Sequence, residues 1–241
     1  MAENEIVVVH SSDLHLDVPY TESQHADLLY PIRIVLRTAQ AVGADLVLLA
    51  GDIFDHNRQP LSLIDQTARL IGDSDLPVVI LPGNHDPLTP DSVYRRGGLS
   101  DPNNVKVIGL HDEDTIVFSE WDLEIWGNAH LDYYDMSPLR DPRPRSTRWQ
   151  IAAAHGHYEK GPLEPGRLYG SWLIHDEHIE ATGADYVALG HWNRPFQVPD
   201  AVVPAYYSGS PDLAKTVNVV RFGADGTVQV HREPLRNGEE E

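Results

Sequence analysis

Five short groups of polar residues hold the side chains that could do chemistry in this sequence, and each group directly follows an apolar, β-branched run. In chain order the groups are Asp13-Leu14-His15, Gly51-Asp52, Gly83-Asn84-His85-Asp86, His155-Gly156-His157 and Gly190-His191-Trp192-Asn193. Because open α/β sheets gather their sites where strands end, five strand ends can converge on one point. They would bring carboxylate, imidazole and carboxamide groups, which are ligands for hard to borderline divalent metals. The pattern predicts a two-metal hydrolase.

Each group is a weak to moderate signal by itself, with Gly83-Asn84-His85-Asp86 the most specific of those considered singly, and the prediction depends on their conjunction. Asp13 and His15 alternate about Leu14, so in extended backbone both would point to the same side. Asp52 could lie between two metals, although Gly-Asp after a strand is commonly only a turn. The five groups occur in order, each at a predicted strand end, and this matching context makes a chance pattern improbable.

The surrounding elements predict a layered α/β fold. Apolar runs at residues 6–10, 45–50 and 76–81 alternate with helical spacing at 24–42 and 61–71, where Pro31 can mark the true start of the first helix. This β-α-β-α-β order predicts parallel strands. Short strands at 105–108, 115–118 and 123–126 suggest meander-type pairing. Five more strands are predicted at 151–154, 186–189, 206–208, 217–222 and 227–231. We expect a four-layer α-β-β-α sandwich of two mixed sheets flanked by helices.

Composition narrows the class of protein. The 241 residues include no cysteine, which excludes disulfides, thiolate zinc sites and cysteine nucleophiles. No apolar run approaches the roughly 20 residues of a membrane helix, and the acidic N-terminus is unlike a secretory signal, so we expect a cytoplasmic protein. The net charge of −19 disfavours nucleic acid as a partner, though it leaves it open. We expect one domain over residues 1–235 and a disordered acidic tail at 236–241.

One segment, residues 131–148, resembles an inserted loop. It carries the only basic patch of the sequence, formed by Arg140, Arg143, Arg145 and Arg148. One interpretation is a solvated surface loop, because loops are mobile and variable. The other is a lip over the site that grips substrate phosphate or a partner.

The order of the five groups resembles that of the calcineurin-like metallophosphoesterases, namely D-x-H, G-D, G-N-H-D or G-N-H-E, H, and G-H-x-H. The likeness extends from Ile6 to about Pro211. Segments 10–16, 51–55 and 207–211 look most similar to the SbcD-like nuclease subunits of DNA repair. The resemblance implies two divalent metal ions and hydrolysis of phosphoester bonds. Manganese is the expected metal, with iron, zinc and magnesium as alternatives.

The resemblance also implies roles for single residues. Asp13, His15 and Asp52 would hold the first metal, and Asp52 would bridge to a second metal held with Asn84, His155 and His191. His85 would lie off the metals as a proton donor to the leaving oxygen. A hydroxide bridging two metals would attack phosphorus in line. Asp86 could orient His85 or simply cap its loop.

The sequence departs from the family pattern at Asn193, which stands where a second histidine is usual. An amide oxygen is a weaker ligand for late transition metals, so we expect looser occupancy of the first site. His157 could compensate, or could be a surface or supporting histidine. His56 is a candidate substrate contact, and Trp192 is expected at the pocket rim. The remaining histidines, His25, His111, His130, His175, His178 and His231, are interpreted as structural or surface residues.

Three functions compete at this point. The first is a metal-dependent phosphodiesterase acting on small or short diesters, which suits the acidic surface. The second is an SbcD-like DNA exonuclease subunit, which would need a partner to supply basic surface. The third is a non-catalytic phosphate-binding or scaffold module, against which the presence of His85 counts. The oligomeric state is not predicted.

Overall fold

Two mixed six-stranded sheets form the centre of the computed structural model, which describes residues 5–17, 27–110, 114–134, 136–161 and 172–236. In chain order the strands are β1 (Ile6–Ser11), β2 (Leu46–Ala50), β3 (Val78–Leu81), β4 (Val105–Val107), β5 (Thr115–Phe118), β6 (Leu123–Gly127), β7 (Trp149–His155), β8 (His157–Tyr158), β9 (Leu173–Ile174), β10 (Tyr186–Gly190), β11 (Phe196–Gln197), β12 (Ala205–Tyr207), β13 (Thr216–Phe222) and β14 (Val228–Pro234). The helices are α1 (Tyr30–Ala41), α2 (Leu61–Gly72), α3 (Val93–Arg96), α4 (Asp176–Thr182) and α5 (Pro211–Ala214), with a 3-10 helix at Gly98–Ser100.

Sheet 1 has the strand order β14-β13-β1-β2-β3-β4. β1 to β4 are parallel, whereas β13 and β14 are antiparallel additions at one edge. Every residue of β1, β2 and β3 is buried, as expected for parallel strands that are covered on both faces. The predicted parallel β-α-β-α-β start is confirmed.

Sheet 2 has the strand order β11-β12-β10-β7-β6-β5. Its four inner strands are parallel, and its two edge strands, β5 and β11, are antiparallel. β7 and β10 are fully buried and lie side by side at the centre of the sheet. A small additional pairing joins β8 to β9.

The hydrophobic core has two parts, which define four layers. One cluster joins α1, α2, sheet 1 and the inner face of sheet 2, including Ile151 and Ala153 of β7. The alternate β7 residues Ala152 and Ala154 face a second cluster, which includes Ile179 of α4. Successive strand residues point to opposite faces, so β7 contributes to both clusters. The predicted α-β-β-α sandwich is confirmed.

The predicted three-strand meander at 105–126 is wrong. β5 and β6 do pair as an antiparallel hairpin, but β4 belongs to the other sheet, where it runs parallel to β3. Short spacing along the chain did not determine the partner, because the buried Val105 and Val107 are taken up by the edge of sheet 1.

Two predicted boundaries fall at the limits of the described residues. The first helix begins at Tyr30 with Pro31 in its first turn, where proline is tolerated, and residues 24–26 lie outside the described part. The predicted tail also lies outside it, except Arg236, whose N–H donates to Thr38 Oγ1 over 3.0 Å. Among the helices that the structure describes, none is both long enough and apolar enough to cross a bilayer.

Candidate metal centre

The carboxyl ends of five parallel strands from the two sheets meet at one place. Asp13 and His15 follow β1, Asp52 follows β2, and Asn84 follows β3 in sheet 1. From sheet 2, β7 ends at His155 and β10 is followed by His191. The His155 ring crosses between the sheets, because its Nδ1 donates to the carbonyl oxygen of Ala50 over 2.8 Å.

Two groups of donor atoms share Asp52. In one group, atoms of Asp13, His15 and Asp52 lie within 4.8 Å of one another. In the other, atoms of Asp52, His155 and His191 satisfy the same limit. Asn84 completes the second group, since its Oδ1 lies 3.0 Å from His155 Nε2 and 3.2 Å from His191 Nδ1.

The donor set fits a divalent cation. His155 donates through Nδ1, so its neutral ring carries a lone pair on Nε2. That lone pair faces Asn84 Oδ1 and, at 3.0 Å, Asp52 Oδ2, which both accept rather than donate. Lone pairs facing one another in a buried site require a positive charge between them, and in the metal-free protein that charge is a proton. A divalent cation bound by oxygen and imidazole ligands satisfies the same atoms.

The pKa values of the metal-free site show this demand for positive charge. Burial alone would lower the pKa of His155, but the Asp52 carboxylate opposes burial and raises it to about 9. Burial alone would raise the pKa of Asp52, but the His155 ring holds that pKa below its ordinary value. Burial raises the pKa of Asp13. Burial, with the neighbouring His155 charge, lowers the pKa of His191 to about 4, so His191 is neutral and available as a ligand.

Four of these residues have left-handed backbone conformations, with φ values of 56° for Asp13, 45° for His15, 54° for Asp52 and 105° for His191. Such conformations are strained for residues with side chains and cluster at functional sites. They also correct the argument for Asp13 and His15, which are not in extended backbone. The turn is held by hydrogen bonds from Asp13 N to Gly51 O (3.0 Å) and from Leu14 N to Asp52 O (2.9 Å), and it still brings the two side chains together.

Glycines in the motifs allow the segments to approach closely. A Cβ atom at Gly83 would lie 2.2 Å from Asp52 Oδ1, and one at Gly190 would lie 1.8 Å from Ala50 O. Both distances are below any real contact, so these positions exclude every side chain.

His85 lies at the edge of the two groups that share Asp52, with its side chain 43% exposed, and its ring forms a further cluster of donor atoms with His15 and Asp55. Its backbone N–H donates to Asp52 Oδ1 over 2.9 Å, which ties it to the shared ligand. Its Nδ1 is 2.9 Å from the carbonyl oxygen of Asp55, so Nδ1 carries the hydrogen of the neutral ring. Burial alone would lower the pKa of His85, but Asp52 and Asp55 together raise it.

Asp55 is a site residue to which sequence reasoning gave no role. Its Oδ1 lies 3.0 Å from His15 Nδ1 and 3.4 Å from His85 Nδ1. Asp55 is in turn held by Asp17, whose Oδ1 accepts from its backbone N–H over 2.8 Å. The signal was present in the segment 51–55, but only the fold shows that this carboxylate faces two histidines.

Asp86 has the contacts of a loop cap, one of the two roles left open for it. Its fully buried carboxylate accepts from the backbone N–H groups of Gly83, Ile53 and Phe54 and from Tyr94 Oη, over 2.7 to 3.1 Å. No hydrogen bond joins it to His85 among the described residues. Asp86 therefore fixes the loops that carry Asp52 and Asn84.

His157 lies outside the two donor groups, and among the described residues no hydrogen bond joins the Asn193 side chain to them. Asn193 is exposed, and within the described part of the chain its hydrogen bonds, from Ser210, are accepted by its backbone carbonyl. His157 is exposed, and its Nδ1 accepts from Trp192 Nε1 over 3.1 Å. The His157 ring lies 6.2 Å from the His191 ring, beside the site.

Trp192 and His56 flank the site. The Trp192 ring stacks on Tyr207 at 4.6 Å, which fixes the indole that orients His157. His56 Nε2 lies 3.3 Å from Asp17 Oδ2, so it contacts the same aspartate that holds Asp55.

His130 is a supporting residue that was interpreted as structural or surface. It is fully buried, its Nε2 lies 2.8 Å from the carbonyl oxygen of His155, and its ring lies 5.8 Å from the His155 ring. Burial lowers the pKa of His130 to about 4, so the ring is neutral and donates through Nε2. As an isolated histidine in the sequence, it gave no signal of this role.

The basic patch of residues 131–148 is largely engaged within the protein. Arg143 pairs with Asp114 at 2.7 Å, Arg145 pairs with Asp185 at 2.6 Å, and Arg148 donates to Ala224 O over 2.7 Å. Arg140 lines a cavity of about 280 Å³ together with Asp114, Asp141 and Arg143. These contacts favour the surface-loop interpretation over a lip that grips phosphate.

Comparison with known proteins decides the family. Residues 6–195 match the profile of calcineurin-like phosphoesterases. The chain belongs to this family. Members of this family are metal-dependent phosphoester hydrolases. The family resemblance predicted from the motifs is confirmed.

Two relatives of this chain are a nuclease subunit and a DNA double-strand break repair protein. The chain is 29% identical over 264 residues to the SbcD subunit of the SbcCD nuclease of Bacillus subtilis (strain 168), covering 88% of this chain and 65% of that protein. It is 36% identical over 84 residues to the DNA double-strand break repair protein Mre11 of Aeropyrum pernix, covering 33% of this chain and 20% of that protein. The chain thus spans less than two thirds of the length of either curated relative.

A solved structure shares the fold at low identity. The Haemophilus influenzae NAD nucleotidase NadN superposes with a TM-score of 0.57 at 12% identity, covering 96% of this phosphoesterase and 50% of that chain. At this identity the likeness concerns the fold alone.

Proposed function

We propose that this phosphoesterase is a phosphodiesterase that uses two divalent metal ions. The observation that carries the proposal is the sharing of Asp52 between two donor groups at the meeting point of five strand ends. One carboxylate with two oxygens can serve two cations at once, and paired cations are the usual device for displacement at phosphorus.

The residues that would hold the metals follow from the two groups. Asp13, His15 and Asp52 would form the first site, and Asp52, Asn84, His155 and His191 the second. When bound, such cations lower the pKa of water and neutralise charge on phosphoryl oxygens. Oxygen and imidazole ligands without thiolate suit manganese. Asn193 would offer at most an amide oxygen to the first site, whose occupancy would be the looser.

His85 would act on the substrate directly. Its Nδ1 is committed to the Asp55 carbonyl, which fixes the ring and directs the chemistry to Nε2. A proton on Nε2 can pass to the oxygen that leaves phosphorus, which is the step that a positioned imidazole accelerates. A scaffold that only binds phosphate has no use for this arrangement, and the third function is the weakest for that reason.

Small or short diesters suit the rest of the molecule. The net charge is −19, and three of the four arginines in the 131–148 patch are occupied by intramolecular contacts. Most nucleic-acid affinity comes from basic groups that neutralise phosphates, so little of it is available from this patch.

A second candidate, the catalytic subunit of a DNA nuclease, is favoured by one observation. The SbcD subunit of the SbcCD nuclease is similar over 88% of this chain. Such a role would require a partner that supplies the basic surface.

A metal-reconstituted activity panel tests the proposal. We expect turnover of bis(p-nitrophenyl) phosphate with manganese, complete loss with EDTA, and loss in the Asp52→Asn variant. The panel includes aryl monoesters, cyclic nucleotides, and linear single- and double-stranded DNA. Absence of turnover of every substrate with every metal would favour the scaffold.

Salt dependence separates the first two functions. A nuclease that grips several phosphates loses affinity steeply as salt rises, whereas hydrolysis of a small diester should change little between about 50 and 200 mM salt.

A further inference from the structure

An aromatic rim lies beside the candidate metal centre, and we propose that it binds the nucleobase of a nucleotide diester substrate. We define the aromatic rim as Tyr133, Tyr134 and Trp172. The inference rests on the proposed phosphodiesterase function and names the class of substrate, one with an aromatic base next to the scissile phosphate.

The two tyrosines of the rim are exposed, and Trp172 is half-buried. Tyr133 is 55% and Tyr134 is 78% exposed, and they are the only aromatic members of the set of exposed large hydrophobic residues in the described part of the chain. Leu131, in the same short segment, is 55% exposed. A concentration of exposed apolar surface at one place marks a binding site more often than isolated exposed residues do.

The rim adjoins the metal donors on the side of sheet 2. The Trp172 ring lies 6.0 Å from the His191 ring and 5.4 Å from the His130 ring, centre to centre. A base that contacts this ring would therefore sit within one nucleotide of a phosphate held at His191. The span is short enough for a single nucleotide unit to reach both.

Hydrogen bonds hold the rim in place. Trp172 Nε1 donates to Tyr134 O over 2.7 Å, and Tyr134 N donates to Asp132 Oδ1 over 2.8 Å. Tyr133 Oη accepts from Asn57 Nδ2 over 3.3 Å. Asn57 is on the loop that follows β2 and carries Asp55, so Tyr133 links the rim to the side of sheet 1. These bonds hold the side chains of Trp172 and Tyr133 and the backbone of Tyr134, and rings fixed before binding lose little entropy when a base stacks on them.

Stacking on aromatic rings would also let a protein of negative net charge bind an anionic substrate without a large basic surface. The engaged arginines of the 131–148 patch contribute little cationic surface. Metals would take the phosphate, and aromatic faces would recognise the uncharged remainder of the substrate. Stacking of a base on an aromatic side chain tolerates different bases, because every base has a π-face.

Two diesters that differ only in the base test the proposal. They are the p-nitrophenyl ester of thymidine 5′-monophosphate and the same ester without the base, hydrolysed by the manganese-loaded protein. We expect kcat/KM to favour the base-bearing ester about tenfold, within the range measured for base stacking. Tyr134→Ala should reduce this ratio towards one, and Tyr134→Phe, which keeps the ring, should preserve it. Val202→Ala, at a residue that is 77% exposed in the loop between β11 and β12, should leave the ratio unchanged.

Equal rates for the two esters, or a ratio insensitive to Tyr134→Ala, would overturn the aromatic subsite while leaving the phosphodiesterase proposal intact. Failure to hydrolyse either ester would count against the phosphodiesterase proposal itself. In that case, calorimetric binding of thymidine 5′-monophosphate and of 2-deoxyribose 5-phosphate tests the aromatic subsite. Tighter binding of the nucleotide that is lost in the Tyr134→Ala variant supports the subsite. Equal affinity for the two compounds overturns it.

Discussion

At the scale of single residues, the site separates side chains that would touch cations from those that orient them. Asp13, Asp52 and His155 are buried and face one another, whereas His85 and Asp55 lie at the more open edge. Buried lone pairs that face each other repel, so the arrangement is stable only with a positive charge between them. The open edge is where a substrate can enter and a proton can be exchanged.

His85 is predicted to matter for rate and not for metal content. Substitution His85→Ala removes the proton donor but none of the proposed ligands. For a diester with an alkoxide leaving group, such as a thymidine dinucleotide, we expect kcat to fall roughly 10²- to 10⁴-fold, because an alkoxide must be protonated as it leaves. Metal content measured by mass spectrometry should stay at the wild-type level. His231→Ala, on the edge strand β14, is the matched control and should retain wild-type kcat. A variant with wild-type kcat would remove His85 from the mechanism.

Asp55 is predicted to support the first metal through His15. The Asp55→Ala variant loses the carboxylate 3.0 Å from His15 Nδ1 but keeps the backbone carbonyl that anchors His85. Loss of such a supporting carboxylate typically weakens metal binding roughly 10- to 100-fold. Calorimetric titration with manganese should show this loss for one site only. The exposed Asp200, whose side chain is 88% accessible, gives the control Asp200→Ala. Unchanged affinity at both sites would contradict the role of Asp55.

At the scale of elements, the site depends on close approach of the strand ends of two sheets that pack face to face. β10 lies against the end of β2 at Gly190, and His155 from β7 reaches Ala50 O at the same point. Close approach of the strand ends is what allows ligands from different sheets to share cations.

Gly190→Ala should therefore be costly. Its Cβ would lie 1.8 Å from Ala50 O and 2.7 Å from His155 Nδ1, so the strands must move apart. We expect the free energy of unfolding to fall by at least about 1–3 kcal/mol, the usual cost of overpacking, with loss of the second metal. Gly72→Ala, at the end of α2, is the control, because a Cβ at Gly72 would make an ordinary 3.4 Å contact with Pro102. Urea denaturation measures the free energy of unfolding of both variants. Equal stability of the two variants would contradict the prediction, because it would show that the sheets can move apart at little cost.

Sequence periodicity predicted most elements and missed those whose partners it could not specify. The buried runs of β1, β2, β3, β7 and β10 were recognised because parallel strands are apolar throughout. The sheet to which β4 belongs was not recognised, because a three-residue strand carries no information about which sheet will pair with it. The short helix α4 was also missed, because Asp176–Thr182 is too brief for a clear helical period.

At the scale of the whole molecule, the candidate site also divides into residues that the sequence could predict and residues that it could not. The convergence of Asp13, Asp52, Asn84, His155 and His191 could be predicted, because motifs that follow parallel strands collect at the carboxyl ends of those strands. The supporting residues Asp55 and His130 could not, since their contacts join segments far apart in sequence. The left-handed turns at Asp13 and His15 were likewise invisible, and they replaced the extended geometry that the D-x-H spacing suggested.

Diffraction from crystals of the manganese-loaded protein tests the central claim most directly, because anomalous scattering locates the metal without reference to activity. We predict two peaks separated by roughly 3.5–4 Å, one on each side of the Asp52 carboxylate, with the peak nearer Asp13 and His15 the weaker. A single peak away from Asp52, or none at saturating manganese, would contradict the dinuclear site on which the proposed function depends.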